Sequence, residues 1–221
     1  MTVLQNALNA AAPGSVLCVL PATYVGTLDF QGKDVTLISS TPLGAVLDGN
    51  GHGPVVTFKT FESPLAGLDG FKVTGGVATG GAGILISNAS PTIKNCLITG
   101  NHAVDPIGGH PQGGGMYIGG DRSAPLVSCT TFQSNTSGHT GGGLQSTYLA
   151  HPHLVQDSFL GNSAAFGGGF AAEFSGLASI DDSQFSGNTA SGDGGALHVL
   201  TPFGGPQIRR TIVQGNQASG N

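Results

Sequence analysis

The sequence predicts an all-β fold: a right-handed parallel β-helix of stacked coils, with a short N-terminal capping helix. Three observations carry that reading. Glycine clusters begin at Gly81, Gly113, Gly141, Gly167 and Gly194, spaced 32, 28, 26 and 27 residues apart. An asparagine follows each cluster by 20 to 22 residues, at Asn101, Asn135, Asn162, Asn188 and Asn216. Each asparagine closes a block of 11 residues, PTIKNCLITGN in the first repeat and PHLVQDSFLGN in the third. Self-similarity at such a period is the signature of a repeat architecture.

The columns of the block assign its faces. The third column is Ile93, Val127, Leu154, Ile180 and Ile208, and the eighth is Ile98, Phe132, Phe159, Phe185 and Val213. A position that stays apolar in every repeat faces a shared core. The sixth column (Cys96, Thr130, Asp157, Ser183, Thr211) is small or polar. Asp157 placed inward needs partners, and Thr130 and Ser183 are the expected ones. After each glycine cluster the third and fifth positions are mostly apolar, as in Ile84 and Ile86. The fourth varies through Leu85, Tyr117, Gln145, Ala171 and His198. Period-two alternation marks a strand with one buried face.

Each repeat therefore reads as two or three short strands separated by glycine turns. No repeat can bury its inward face alone, so stacking builds the core, with strands about 4.8 Å apart. The asparagines then form an amide ladder at a tight turn, where asparagine tolerates a left-handed backbone. Phe132, Phe159 and Phe185 are expected to stack inside.

The chain reads as one domain over residues 1–221. Residues 80–221 hold five regular coils, and residues 13–79 hold less regular ones. Residues 68–76 match the block, with Gly76 in place of the ladder asparagine. Residues 35–38, 46–47 and 55–58 read as strands, and Leu17, Val19, Tyr24 and Phe30 as the first coil. In residues 1–12, Val3, Leu4, Ala7, Leu8 and Ala11 recur at helical spacing, with Thr2 as the expected N-cap. A bare terminal coil exposes its core and unpaired backbone groups, so a cap is physically required. The next glycine cluster falls due near residue 221. The expectation there is a fragment of a longer protein, or an end-to-end or C-terminal partner contact.

Composition narrows the function. Glycine numbers 39 of 221 residues without a Gly-X-Y period, and the 38% hydrophobic residues recur at fixed offsets, so neither collagen nor a flexible linker fits. A net charge of −5 with seven Lys plus Arg argues against a nucleic-acid partner. No run of 18 apolar residues predicts a membrane span. The first 20 residues lack a basic segment, so they read as fold rather than signal peptide. Cys18, Cys96 and Cys129 are odd in number, without metal spacing, and are expected as free, mostly packed thiols.

Two sets of motifs carry a family resemblance. FxxN occurs at residues 132–135, 159–162 and 185–188, with GGAL at 194–197 and GGG variants elsewhere. This alternation resembles polymorphic outer-membrane protein repeats. The opening LQNALNAAAPGSVLCVLPATY resembles the start of pectin-lyase-like β-helix domains, with Ala22 in place of their usual turn glycine. The resemblance spans essentially the whole chain. It implies a secreted or cell-surface protein, an adhesin-like or carbohydrate-binding solenoid, with carbohydrate-active enzymes among more distant relatives.

Candidate chemistry must lie on outward columns. Glu173 and His198 are the acid/base candidates, with Tyr117, Gln145 and Thr147 completing a binding patch. The alternative is a solvated strand face. Asp181 and Asp182 form an acidic pair suited to calcium. Arg209 and Arg210 share their columns in the next coil, so a cross-coil ion-pair ladder is the simpler expectation. His110, His139 and Asp193 precede glycine clusters and could converge on one corner as metal ligands. The intervening coil has Ala164, Ala165 and Phe166 there, which breaks the column, so no metal centre is expected. His102, His151 and His153 read as solvent-facing turn residues. Residues 103–112 form an extended loop of the kind that carries binding in solenoids. Lyase-like sites need carboxylates and a Lys or Arg base on one face, whereas Lys33, Lys59, Lys72 and Lys94 fall in early coils. The expected function is therefore a non-catalytic surface solenoid that binds glycans or a cell-surface ligand. A polysaccharide lyase or hydrolase using Glu173 and His198 is the alternative.

Overall fold

The computed structural model describes residues 1–105, 107–174, 178–202 and 204–220. They form a right-handed parallel β-helix of about seven turns, in which every paired strand runs parallel to its neighbours. A regular coil gives one short strand to each of four sheets. In one coil these are Thr92–Lys94 in sheet I, Leu97–Thr99 in sheet II and His102–Ala103 in sheet III, followed by Met116–Gly119 in sheet IV. Sheets I and II have eight strands each, sheet IV seven and sheet III six. The two or three expected strands per repeat thus become four. Sheet III was hidden because its strands are two residues long, too short for alternation to show.

The block of constant length is sheet I, a tight corner, sheet II and the ladder corner. Both corners take left-handed backbone at a fixed place. The first uses Asn95, Cys129, Gln156, Asp182 and Arg210; the second uses Gly100, Ser134, Gly161, Gly187 and Gly215. The ladder asparagines are not themselves left-handed, contrary to expectation. The residue before each one makes the turn, usually a glycine without a Cβ to clash. This leaves the asparagine to serve as a hydrogen-bonding group.

That group is fully used. Asn101 Nδ2 donates to Asn135 Oδ1 at 3.0 Å, and the chain of bonds continues through Asn162 and Asn188 to Asn216 at 3.1, 2.9 and 2.8 Å. Each Oδ1 also accepts the backbone N–H of the asparagine one coil earlier. At the start, Gly76 N–H donates to Asn101 Oδ1. Inside the ladder, Phe132, Phe159 and Phe185 stack with centroids 4.7 and 4.5 Å apart and rings within 3° of parallel. All three are fully buried.

The cap forms over Thr2–Ala10. Met1, not Thr2, occupies the N-cap position, and no side chain caps the helix. The terminal ammonium bonds Val25 O at 2.5 Å instead, tying the helix start to the first coil. Leu4 and Leu8 are buried over the core. Gln5 mimics a missing strand: its Nε2 donates to Asp29 O at 2.8 Å and its Oε1 accepts from Asp29 N at 2.9 Å. The edge of sheet IV at Leu28–Asp29 is thereby blunted.

The cysteines are free, but only Cys96 is buried. Burial pushes its thiol up to about 12. Cys18 and Cys129 are exposed, contrary to the expected packing. Cys129 occupies a left-handed corner, and its Sγ meets Gln156 Oε1 at 3.4 Å.

Candidate functional site

The outer face of sheet IV brings one set of candidates into register. Leu85, Tyr117, Gln145, Ala171 and His198 are successive cross-coil partners in one row. Ser87, Gly119, Thr147, Glu173 and Leu200 form a second row, two residues further along each strand. Glu173 and His198 therefore lie on adjacent coils but in different rows. Tyr117, Glu173 and His198 are partly exposed, whereas Gln145 and Thr147 are buried. These two form the floor of the face rather than its rim.

Gly119 lets the Tyr117 side chain lie along the strand, because a Cβ there would come within 2.7 Å of the phenol oxygen. Burial, with a smaller contribution from Tyr148, pushes the Tyr117 hydroxyl up to about 12, so it stays a neutral donor. Beside it opens a cleft of about 310 Å³, lined by Thr79, Gly80, Leu85, His110, Gln112 and Tyr117. A second hollow of about 350 Å³ beside the cap helix is lined almost wholly by apolar side chains and lacks convergent polar groups.

The wall of the face is a column of rings. His110 and His139 pack edge to face with centroids 4.4 Å apart, His139 and Phe166 at 5.5 Å, and Phe166 and His198 at 5.3 Å. Phe166 therefore continues the column that it was expected to break. Parallel bridges place Gly80, Gln112, Thr140 and Phe166 in register, so the large Phe166 ring reaches across to its neighbours from an adjacent position. Asp193 falls in the Phe166 column, since its carbonyl accepts from Gly167 as that of Phe166 does from Gly141. His110, His139 and Asp193 thus do not form one corner. Among the described residues no three His, Cys, Asp or Glu side chains are grouped to hold a metal.

Polar atoms in this region lack partners. Among the described residues, four buried side-chain atoms make no hydrogen bond: His139 Nδ1, Thr140 Oγ1, Gln145 Oε1 and Asp157 Oδ2. Three of the four lie within residues 139–145, around one glycine corner. Among the described residues Gln145 Nε2 makes long contacts, 3.3 Å to Ser146 O and 3.5 Å to Glu173 Oε2. Buried polar groups are normally satisfied, so such a concentration calls for an explanation at the site. Burial is the main cause that lowers the His139 pKa, His110 and His198 add to it, and Glu173 opposes it.

Sequence patterning did not reveal the opposite rim. Tyr148, Leu149 and Phe174 follow the sheet IV strands, are 62, 47 and 56% exposed, and hold φ of 52°, 60° and 51°. Bulky residues in left-handed backbone store strain, which concentrates at functional sites. Backbone bonds from Leu149 N to Phe174 O and from Phe174 N to Leu200 O hold the rim in place.

The other candidates are occupied or dispersed. Arg210 bridges both aspartates, at 2.5 and 2.8 Å to Asp182 and 3.4 Å to Asp181, and its hydrogen bond holds the Asp182 carboxyl below its usual range. Arg209 does not join the ion-pair ladder; it bonds Gln207 at 2.5 Å. His102, His151 and His153 are exposed, and His153 lies 3.7 Å from Asp181. Among the described residues no ion pair joins Glu173 to His198. In the extended loop over residues 103–112, Pro106 lies outside the described residues; His110 from this loop enters the ring column.

No protein-family model, curated protein or solved structure matches the chain.

Proposed function

We propose that this chain is a non-catalytic surface β-solenoid that binds glycans along the outer face of sheet IV. The observation that carries this reading is a ring column along one face, with three unpartnered buried polar atoms from residues 139–145 in and around it. Saccharides present apolar ring faces and directional hydroxyls. Aromatic surfaces flanked by a few convergent polar groups suit both. The motif resemblance supports a secreted or cell-surface setting. The alternative, polysaccharide cleavage by Glu173 and His198, has less support because they are not coupled to each other.

A panel of soluble neutral and acidic polysaccharides tests both readings. The expected result is retention of one class on immobilised protein, with chain length unchanged by size-exclusion chromatography after prolonged incubation. Retention of none would overturn the binding reading. Shortening of a polysaccharide, abolished in Glu173→Ala, would replace the scaffold with an enzyme.

A further inference from the structure

The ring column contains three imidazoles and has Glu173 as the carboxylate that acts on its centre. This composition bears on which glycans the face accepts and when. We propose that the ring column is a proton-controlled anion site, which takes the charged groups of an acidic saccharide in mildly acidic solution and releases them in mildly alkaline solution. The inference rests on the glycan-binding reading above and adds to it a ligand charge and a switch.

Histidine is the side chain whose charge ordinarily changes between about pH 5 and 8. With its three rings neutral, the column carries no positive charge against the Glu173 carboxylate that acts on His139, and a uronate or sulfate group is repelled. Each proton the rings take up offsets the local carboxylates, which besides Glu173 are Asp105 in the His110 loop and Asp193 in the Phe166 column. His110 comes from the extended loop, His139 from the next glycine corner, and His198 from sheet IV. Their side chains share one surface, although the chain brings them from three coils.

His139 is packed between His110 and Phe166. Three charges act on it: His110 and His198 disfavour its cation, and Glu173 favours it. Tyr117 is the further titratable group on the neighbouring strand and stays neutral throughout this range. Burial and the two imidazoles outweigh Glu173, so His139 resists protonation while the site is empty. Its Nδ1 has no hydrogen-bond partner among the described residues. A protonated ring donates from both nitrogens and carries a charge this packed site does not balance, and an anion seated beside the rings supplies the missing countercharge. Proton and anion uptake therefore favour each other, and that coupling is reciprocal.

The test uses a uronic-acid polymer, a sulfated polysaccharide and a neutral glucan. Each is titrated at constant ionic strength at about pH 5 and about pH 8. The expected result for the wild type is at least about tenfold tighter binding of an acidic polymer at the lower pH, the effect of a one-unit change in pKa. The uronate and sulfate arms identify which anionic group is preferred. The double variant His110→Gln, His139→Gln should lose most of the pH dependence. His151→Gln, an exposed histidine elsewhere, should keep it. Matched circular dichroism spectra and melting temperatures at both pH values exclude unfolding as the cause. Acidic-polymer affinity that does not rise at low pH, or a rise that persists in the double variant, overturns this inference alone. Failure of every polymer to bind at either pH overturns the glycan-binding reading itself.

Discussion

Asn162→Ala is expected to destabilise the protein by at least about 4 kcal/mol. The side chain is fully buried at the centre of the ladder. Its Oδ1 accepts Asn135 N–H at 3.0 Å and Asn135 Nδ2 at 3.1 Å. Its Nδ2 donates to Phe132 O and Asn188 Oδ1, each at 2.9 Å. Alanine removes all four bonds and leaves their partners without water, at about 1–3 kcal/mol for each buried unpaired group. Phe159→Ala, in the adjacent ring stack, should cost about 3–5 kcal/mol through lost burial and the cavity left behind. Asn216→Ala provides the internal comparison. Asn216 is only partly buried and belongs to the last described ladder step, so its loss should cost much less. Urea melts followed by circular dichroism read these differences as shifts in midpoint. Equal shifts for Asn162→Ala and Asn216→Ala would show that the ladder is not a cooperative buried element.

Asp157→Asn should remove a large pH dependence of stability. The carboxyl is 1% exposed, and burial pushes its pKa up to about 7 despite hydrogen bonds from the backbone of Thr130 and Val155. Oδ1 accepts from Thr130 N at 2.8 Å, while Oδ2 has no hydrogen-bond partner among the described residues. In the unfolded chain the group ionises near its ordinary value of 3.8. Between these values the folded state holds a proton that the unfolded state has released. The stabilisation is therefore complete below the unfolded pKa and is lost as pH rises through the folded one. A shift of about three units corresponds to about 4 kcal/mol over that window. Asparagine is neutral at every pH and keeps the acceptor for Thr130. Chemical denaturation at about pH 4 and about pH 8 should show wild-type stability falling relative to the variant by that order. Parallel pH profiles for the two proteins would contradict the assignment of a buried, protonated Asp157.

The parts of this architecture that recur in every coil were legible in the sequence. The phenylalanine stack, the amide ladder and the inward Asp157 column all lie at constant positions in an 11-residue block. Aligning blocks aligns coils, so the columns become spatial neighbours without further information. The candidate site does not obey that rule. His110, His139 and Phe166 stand three, two and one residues before their glycine clusters, and His198 stands four residues after its own. The ring column therefore runs diagonally through the repeat, and no single sequence column contains it. Only the reach of the Phe166 and His198 side chains brings it together. The rim at Tyr148 and Phe174 was hidden for a different reason. Left-handed turns are expected at glycine or asparagine, and bulky residues there carry no local signal. Tyr117, Glu173 and His198 were found on the sheet IV face because outward strand positions follow directly from alternation. That Gln145 and Thr147 lie beneath the surface depended on neighbours from other coils.

The central claim is that recurrent positions build the coil while one outer face, sheet IV, does the binding. A glycan array run side by side on three forms of the protein tests it most directly. Tyr117→Ala with His198→Ala alters the sheet IV face. Thr131→Ala with Gln133→Ala alters the outward side of the sheet II strand Thr131–Gln133. The account predicts that the sheet IV variant loses the wild-type glycan signal while the sheet II variant retains it. Retention in both, or equal loss in both, would contradict the assignment of binding to sheet IV.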